Sequence, residues 1–323
     1  MIKNKLITPL CNDNEVAIIL ACNNNYIPYV ISTILSIQNC SNANNQYDII
    51  ILHQDVTPKS KQLAYRILGH RENFSVRFFN VKDIVSQYNL TNYVGRISIE
   101  GYYRILIPHI LNGYKRAIYI DCDIIVVEDI MQLSKVNLDG YILGACQDLA
   151  WCMEIINCLQ FTQDFLEKLN ITSIYKKFNS GVLLFNLENL NKYISYEILL
   201  EDAVNNNYYF GDEDILNKYY SDKTLILHPS FNVWHDSFGI FPVLKYAPKK
   251  MYDAYMEARK KPKVVHYIGY SKPWNYPNTD MAYYYWDTIR DTELYELSLK
   301  SQIVNIPMTY SKKVLKDCYN LLN

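Results

Sequence analysis

Glycine is scarce in this chain, with ten in 323 residues. No Gly-x-Gly-x-x-Gly or Gly-x-x-x-x-Gly-Lys run occurs. That excludes a dinucleotide fingerprint and a Walker phosphate loop. None of the eight cysteines (11, 22, 40, 122, 146, 152, 158 and 318) forms a Cys-x-x-Cys pair, which argues against structural zinc. Several lie in apolar segments, where a free thiol packs as a small hydrophobe. A reduced, cytoplasmic setting is therefore expected. An excess of one charge is also lacking: 32 Lys and Arg face 33 Asp and Glu. This gives no electrostatic reason for nucleic-acid binding. No apolar run approaches the roughly 18 residues of a membrane span. MIKNKLITPLCNDNE has no apolar core of signal-peptide length. A soluble protein is expected, without repeats or a low-complexity linker.

What is present is an alternation of apolar runs and helical patterns. EVAIILACNNNY (Glu15–Tyr26) reads as a strand ending in a polar loop, and IPYVISTILSIQNC continues with helical spacing. YDIIILH and FSVRFFN read as further strands, with TPKSKQLAYRILGH between them as a helix opened by Thr57 and Pro58. SIEGYYRILIPHIL (Ser98–Leu111) reads as a capped helix ended by Pro108. Strand–helix alternation predicts an α/β fold with a mostly parallel sheet. Ligands of such sheets lie beyond the carboxyl ends of the strands. The loop Asn23–Tyr26 falls at that edge.

Against this background AIYIDCDIIVV (Ala117–Val127) stands out. Two carboxylates, Asp121 and Asp123, interrupt a short run rich in Ile and Val. Burying a carboxylate without a partner costs several kcal/mol. On an extended chain the two would share a face, about 6.5–7 Å apart, and a divalent cation between them would offset their repulsion. Cys122 would face the other way. Further polar groups interrupt apolar stretches: Asp148 after a strand-like run in GACQDL, Asn179 just before a strand in FNSGVLLFNL, Asp212, Glu213 and Asp214 at a helix start in FGDEDILNKYY, and His266, Gly269 and Lys272 in VVHYIGYSKPWN. Each has an ordinary reading. The acidic triplet suits a helix N-terminus, His266 a hydrogen-bonded core histidine, and Lys272 a surface lysine. It is the set that points to a site.

Taken in order, ACNNNY, ISIEGYYRILIP, AIYIDCDIIV, GACQD, FNSGVLLFNL, GDEDILN and HYIGYSKPW resemble the family 8 glycosyltransferases. The resemblance is to the bacterial retaining α-glycosyltransferases that extend lipopolysaccharide and other surface glycans. It covers roughly Val16 to Trp274. It implies a GT-A fold, a Rossmann-like nucleotide-sugar-binding architecture, with a helical C-terminal extension. Residues 1–275 would form the catalytic domain and 276–323 the extension. It also implies transfer of a hexose, galactose or glucose, from a UDP-sugar to a glycan or lipid-linked acceptor, with Mn2+ as cofactor and Mg2+ as the alternative. By position, Asp121, Asp123 and His266 would bind the metal, and Gly269 and Lys272 the diphosphate. Ala21, Asn23, Asn25 and Tyr26 would form the uridine pocket, and Cys122 counts with the donor-binding set. Arg104, Asp148, Asn179, Asp212 and Glu213 would surround the donor sugar, with Asp148, Asp212 and Glu213 as the catalytic group.

Two positions depart from the resemblance. Asn23 stands where the family usually has Asp, so an amide would read the base. Glu213 stands where the family often has Gln, which leaves both double displacement through a carboxylate and front-face attack open. The competing enzyme class is a haloacid-dehalogenase-like phosphatase, whose Asp-x-Asp lies near its N-terminus and is followed by Thr or Val. Here Ile125 holds that place. A nucleotide-sugar-binding protein without catalysis is the other alternative, which the presence of Asp121, Asp123, His266 and Lys272 opposes. Basic residues in Leu244–Lys263 and Thr309–Leu322, the latter with Lys312, Lys313 and Lys316, read either as solvated faces or as peripheral contact with an anionic membrane on its cytoplasmic side.

Overall fold

The computed structural model describes residues 6–10, 15–90, 98–153, 160–190, 193–237, 239 and 241–305. Its strands are β1 (Val16–Ala21), β2 (Tyr47–His53), β3 (Phe74–Asn80), β4 (Arg116–Ile120), β5 (Ile124–Val126), β6 (Leu143–Gln147), β7 (Phe178–Asn186), β8 (Thr224–Leu227), β9 (Val233–Trp234) and β10 (Val264–His266). Seven form the central sheet in the order β3-β2-β1-β4-β7-β6-β8, and β5-β10-β9 form a second sheet. The first four strands run parallel, as do β6 and β8, whereas β7 is antiparallel to both neighbours. The expected α/β architecture with a mostly parallel sheet is what the chain forms.

The central strands are apolar on both faces because both faces are covered. Ala17, Ile19, Ile50, Leu52, Tyr119, Leu183 and Phe185 enter one core with the segments around 99–110, 196–205 and 212–220. Ile18, Leu20, Ile49, Ile51, Ile118, Val182 and Leu184 enter the other. There they meet α1 (Ile27–Asn39), α2 (Pro58–Leu68) and the helix Ala282–Ile289. The period of two along each strand sorts residues between two cores rather than between core and water. Trp274 stacks on Tyr29 at 3.9 Å, fastening the chain beyond β10 to α1.

The strand order reverses between β1 and β4, the switch point where doubly wound sheets open a crevice. Three features bring polar groups to that edge. The chain leaves the central sheet after β4 and enters the second sheet at β5, so Asp121–Asp123 form the turn between sheets. Antiparallel β7 begins beside the end of β4, and the Asp121 N–H donates to the Gly181 carbonyl at 2.9 Å. Antiparallel pairing of β10 with β5 sets His266 opposite Ile124. Buried Thr33 and Ser36 on α1 hold this junction. Thr33 Oγ1 donates to the carbonyls of Cys122 (3.2 Å) and Ile124 (2.8 Å), and Ser36 Oγ accepts from the Val126 N–H at 2.9 Å.

The structure corrects the reading at four places. Asp121 and Asp123 lie in a turn, not on one extended strand. Ser98–Leu111 is a 3-10 helix over Ile99–Leu106 followed by a short α-helical turn, Ile107–Ile110. Pro108 opens that turn rather than ending the helix, because a residue without an N–H fits the first turn. Ser98 makes no side-chain cap. Asn179 lies within β7, not before it. Two cations counted as a basic surface are structural. Arg259 pairs with Asp280 at 2.9 Å and lies over the Phe241 ring, and Lys263 lies over Phe231. Among the described residues no helix is long and apolar enough to cross a membrane. The segment Thr309–Leu322 with its lysines, and Cys11, Cys158 and Cys318, lie outside the described residues.

Candidate active site

Asp121, Asp123 and His266 come together at the turn between the sheets, with one ligand atom from each within 4.8 Å of the others. The partners of each side chain decide which atom is offered. Asp121 Oδ1 accepts from Arg104 Nη2 at 2.9 Å and from the Tyr119 hydroxyl at 2.7 Å. Asp123 Oδ2 pairs with Lys272, which also donates to the Tyr267 carbonyl. His266 Nε2 lies 3.2 Å from Asp123 Oδ1 and 3.8 Å from Asp121 Oδ2. Asp123 Oδ1 is buried and closes no hydrogen bond.

The proton on His266 can be placed by following its neighbours. Glu213 as a carboxylate only accepts. Asn179 Nδ2 donates to Glu213 Oε2 at 2.9 Å, so Asn179 presents its Oδ1 on the other side. Asn232 Nδ2 donates to that oxygen at 2.7 Å and presents its own Oδ1 to His266 Nδ1 at 2.9 Å. His266 therefore carries its proton on Nδ1 and turns the Nε2 lone pair toward the carboxylates. Gly181 leaves room for the ring: a Cβ there would lie 2.3 Å from His266 Cε1 and 3.0 Å from Asp121 Oδ2. An imidazole nitrogen and two carboxylate oxygens turned toward one point, with a glycine at closest approach, fit a divalent cation. Mixed carboxylate and imidazole donors suit Mn2+ better than Ca2+.

A second cluster adjoins the first. Asp148 follows β6, and Asp212, Glu213 and Asp214 open the helix Asp212–Tyr220. Lys177, fully buried, donates to Asp148 Oδ2 at 2.8 Å and Glu213 Oε1 at 2.7 Å. Glu213 Oε2 also accepts from the Ser180 N–H at 3.0 Å. Arg104 joins the clusters, reaching Asp121 with one nitrogen while its Nε lies 2.9 Å from Asp212 Oδ2. It is 5% exposed and is held between the two acids. The loop Asn23–Tyr26 completes the edge. Asn23 Oδ1 accepts from the N–H groups of Asn25 and Tyr26, capping the short turn Asn24–Tyr26. This leaves the Asn23 amide nitrogen as its open polar group. The Tyr26 hydroxyl is pushed up to about 12 by burial and by the nearby Asp123. Ala21 ends β1, and its carbonyl accepts from Cys122 Sγ at 3.1 Å. Gly269, with φ at +69°, bends the chain between His266 and Lys272.

Burial and charge shape the ionisation of this edge. Burial raises Asp121, opposed by Arg104. Burial also works against ionised Asp123, but opposing charge, that of Lys272 first, holds the carboxyl well below its usual range. Burial raises Asp212 to about 6 against the pull of Arg104, and Asp214 to about 7 against that of Lys177.

Comparison with known proteins fits this geometry. The sequence model of glycosyl transferase family 8 matches residues 17–278. The chain belongs to glycosyl transferase family 8. General stress protein A of Bacillus subtilis (strain 168) is 26% identical over 294 residues, which cover 85% of this chain and 96% of that protein. Among solved structures, the apo bifunctional glycosyltransferase WbbM superposes with a TM-score of 0.81 at 25% identity, over 92% of this chain and 53% of that one. The galactosyltransferase LgtC, solved with donor and acceptor sugar analogues, gives a TM-score of 0.69 at 19% identity, over 92% and 99%. LgtC bears on the fold alone. The chain is a family 8 glycosyltransferase with a GT-A fold.

The structure gathers all the residues picked from sequence at one edge of the sheet, and adds others. Lys177, Ser180, Tyr119 and Asn232 have no motif of their own. Gly181 did carry a signal, because glycine inside a strand marks a close approach.

Two predictions follow from this geometry. In Gly181→Ala the methyl group displaces the His266 ring, so Mn2+ affinity in a spin-resonance titration should fall at least about tenfold, the scale of a lost supporting contact. Unchanged affinity in a folded variant contradicts the close approach. Asp214 has a folded-state value raised above its unfolded one. It binds its proton more tightly in the native protein, and this contribution is lost as pH rises toward about 7. The melting temperature of Asp214→Asn relative to the parent should therefore climb between pH 5 and 8. A difference that is flat with pH contradicts a raised Asp214.

Proposed function

We propose that this glycosyltransferase moves a hexose, galactose or glucose, from a UDP-sugar to a glycan acceptor such as lipopolysaccharide, capsule or glycoprotein glycan, with retention of configuration. The observation that carries the reading is the Asp121–Asp123–His266 triad beside Lys272, at the switch-point crevice of a family 8 fold. In this reading residues 1–275 are the catalytic domain and 276–323 an extension. Asn23, Asn25 and Tyr26 hold the nucleoside beside the end of β1. Asp121, Asp123 and His266 hold Mn2+, with Mg2+ as the alternative. When bound, the ion supplies Lewis-acid stabilisation of charge developing on the diphosphate.

The protein's own groups do the rest. Lys272 and the backbone near Gly269 add positive potential where the leaving group gains charge. Asp148, Asn179 and Asp212 receive the hydroxyls of the donor sugar and fix its orientation. The bond from sugar C1 to the phosphate oxygen breaks, a bond from C1 to the acceptor oxygen forms on the same face, and the acceptor's hydroxyl proton passes to the departing phosphate oxygen. Glu213 has both oxygens engaged by Lys177, Asn179 and Ser180. That favours front-face attack over double displacement, since a carboxylate tied at both oxygens is a poor nucleophile. The test is a screen of nucleotide sugars for hydrolysis without acceptor. One UDP-sugar should be turned over with Mn2+, and activity should vanish in excess EDTA and in Asp123→Ala. Full activity in either condition overturns the metal assignment.

The same reading places the acceptor on a glycan or lipid carrier and the enzyme in the cytoplasm, in peripheral contact with anionic membrane through its basic C-terminal region. Each lysine near such a surface contributes about 1 kcal/mol. Deleting residues 309–323 should reduce binding to phosphatidylserine vesicles at low salt and spare donor hydrolysis. A full-length protein that ignores such vesicles contradicts the contact.

A further inference from the structure

The Lys177 ammonium is fully buried, an expensive position for a charge. Burial alone would lower its affinity for the proton. The Asp148 and Glu213 carboxylates more than reverse this. The rings of Trp151 and Phe210, with centroids 5.3 and 5.1 Å from Nζ, lie beside it and favour the cation. A lysine so enclosed cannot reach a ligand. Its effect must pass through the two acids it touches.

Those two acids differ in what they have left to offer. Glu213 gives Oε1 to Lys177 and Oε2 to Asn179 and Ser180. Asp148 gives Oδ2 to Lys177, while its Oδ1 is buried without a closed hydrogen bond, although the Ala150 N–H also lies close to the carboxylate. We propose that Lys177 is a positioning residue for transfer. It neutralises Glu213 within the protein and holds the Asp148 carboxylate in place beside it. The charge at 213 is then matched to Lys177 rather than to the reacting carbon. This accounts for a carboxylate at a place where the resemblance leads one to expect an amide. A glutamine there has one oxygen for two sets of donors, those of Lys177 and those of Asn179 and Ser180, and its NH2 would oppose whichever set is left.

The inference rests on the donor-sugar reading of this cluster, and the experiment separates the two. Lys177→Met, Glu213→Gln, the double variant and Lys177→Arg are compared in melting temperature, in calorimetric binding of UDP with Mn2+, and in kcat for hydrolysis of the UDP-sugar that the parent accepts. Lys177→Met leaves two buried acids without their cation. Its kcat should fall by up to about a hundredfold, the upper end of what loss of a supporting partner costs in activity, while UDP affinity changes little. Glu213→Gln alone should lose about tenfold. The double variant should melt above Lys177→Met and recover at least about tenfold of its kcat, because the pair acts as a unit. Lys177→Arg should fall between parent and Lys177→Met.

If Lys177→Met does not fold, a folded double variant supports the pairing and an unfolded one overturns it. A Lys177→Met protein with parental kcat, or a folded double variant no better than Lys177→Met in either readout, also overturns it. A parent that turns over no nucleotide sugar defeats the donor reading instead. The melting temperatures then still decide whether Lys177 and Glu213 are coupled.

Discussion

The site depends on a crowd of like charges kept together at one edge of the sheet. Asp121, Asp123, Asp148, Asp212, Glu213 and Asp214 converge there, and three buried or nearly buried cations, Arg104, Lys177 and Lys272, answer them. Each cation spans two groups: Arg104 lies between Asp121 and Asp212, Lys177 between Asp148 and Glu213, and Lys272 between Asp123 and the Tyr267 carbonyl. Acids that outnumber their cations either take up protons or recruit further positive charge. Both responses fit the molecule. Burial, with the neighbouring acids adding to it, raises Asp212 and Asp214 into the neutral range, and the Asp121–Asp123–His266 corner offers three donor atoms.

The fold makes this crowding affordable by delivering the acids from different elements. The turn between sheets supplies two, the end of β6 one, and the start of the helix Asp212–Tyr220 three. Antiparallel β7 runs between them and contributes Lys177, Asn179, Ser180 and Gly181, from just before its first residue through its fourth. From Glu213 the hydrogen bonds run one way through Asn179 and Asn232 to His266. The Glu213 carboxylate thereby fixes the His266 proton on Nδ1, away from Asp121 and Asp123. The two halves of the site are one polar network, and a change in either is felt in the other.

Much of this was legible in the sequence, for identifiable reasons. The runs YDIIILH and FSVRFFN are strands at the expected bounds because β-branched and aromatic runs leave little alternative. Thr57 and Pro58 open α2 as their chemistry dictates. Asp121, Asp123 and His266 were visible because charge after an apolar strand is costly without a purpose. Local patterns could not show the turn that carries Asp121 and Asp123 from one sheet to the other, since that is a matter of strand pairing. Nor could they show Lys177. A lysine next to FNSG looks like any surface lysine, and only the arrival of Asp148 and Glu213 from distant parts of the chain explains its burial. The bridging position of Arg104 was hidden for the same reason; its partners Asp121 and Asp212 are remote in sequence.

The most direct test of the account is where manganese binds. Crystals grown with UDP and Mn2+ would locate the ion by its anomalous scattering. A single peak among Asp121, Asp123 and His266, with the nucleotide base beside Asn23 and Tyr26, is the predicted result. A peak elsewhere on the chain, or UDP bound with that corner empty of metal, would contradict it.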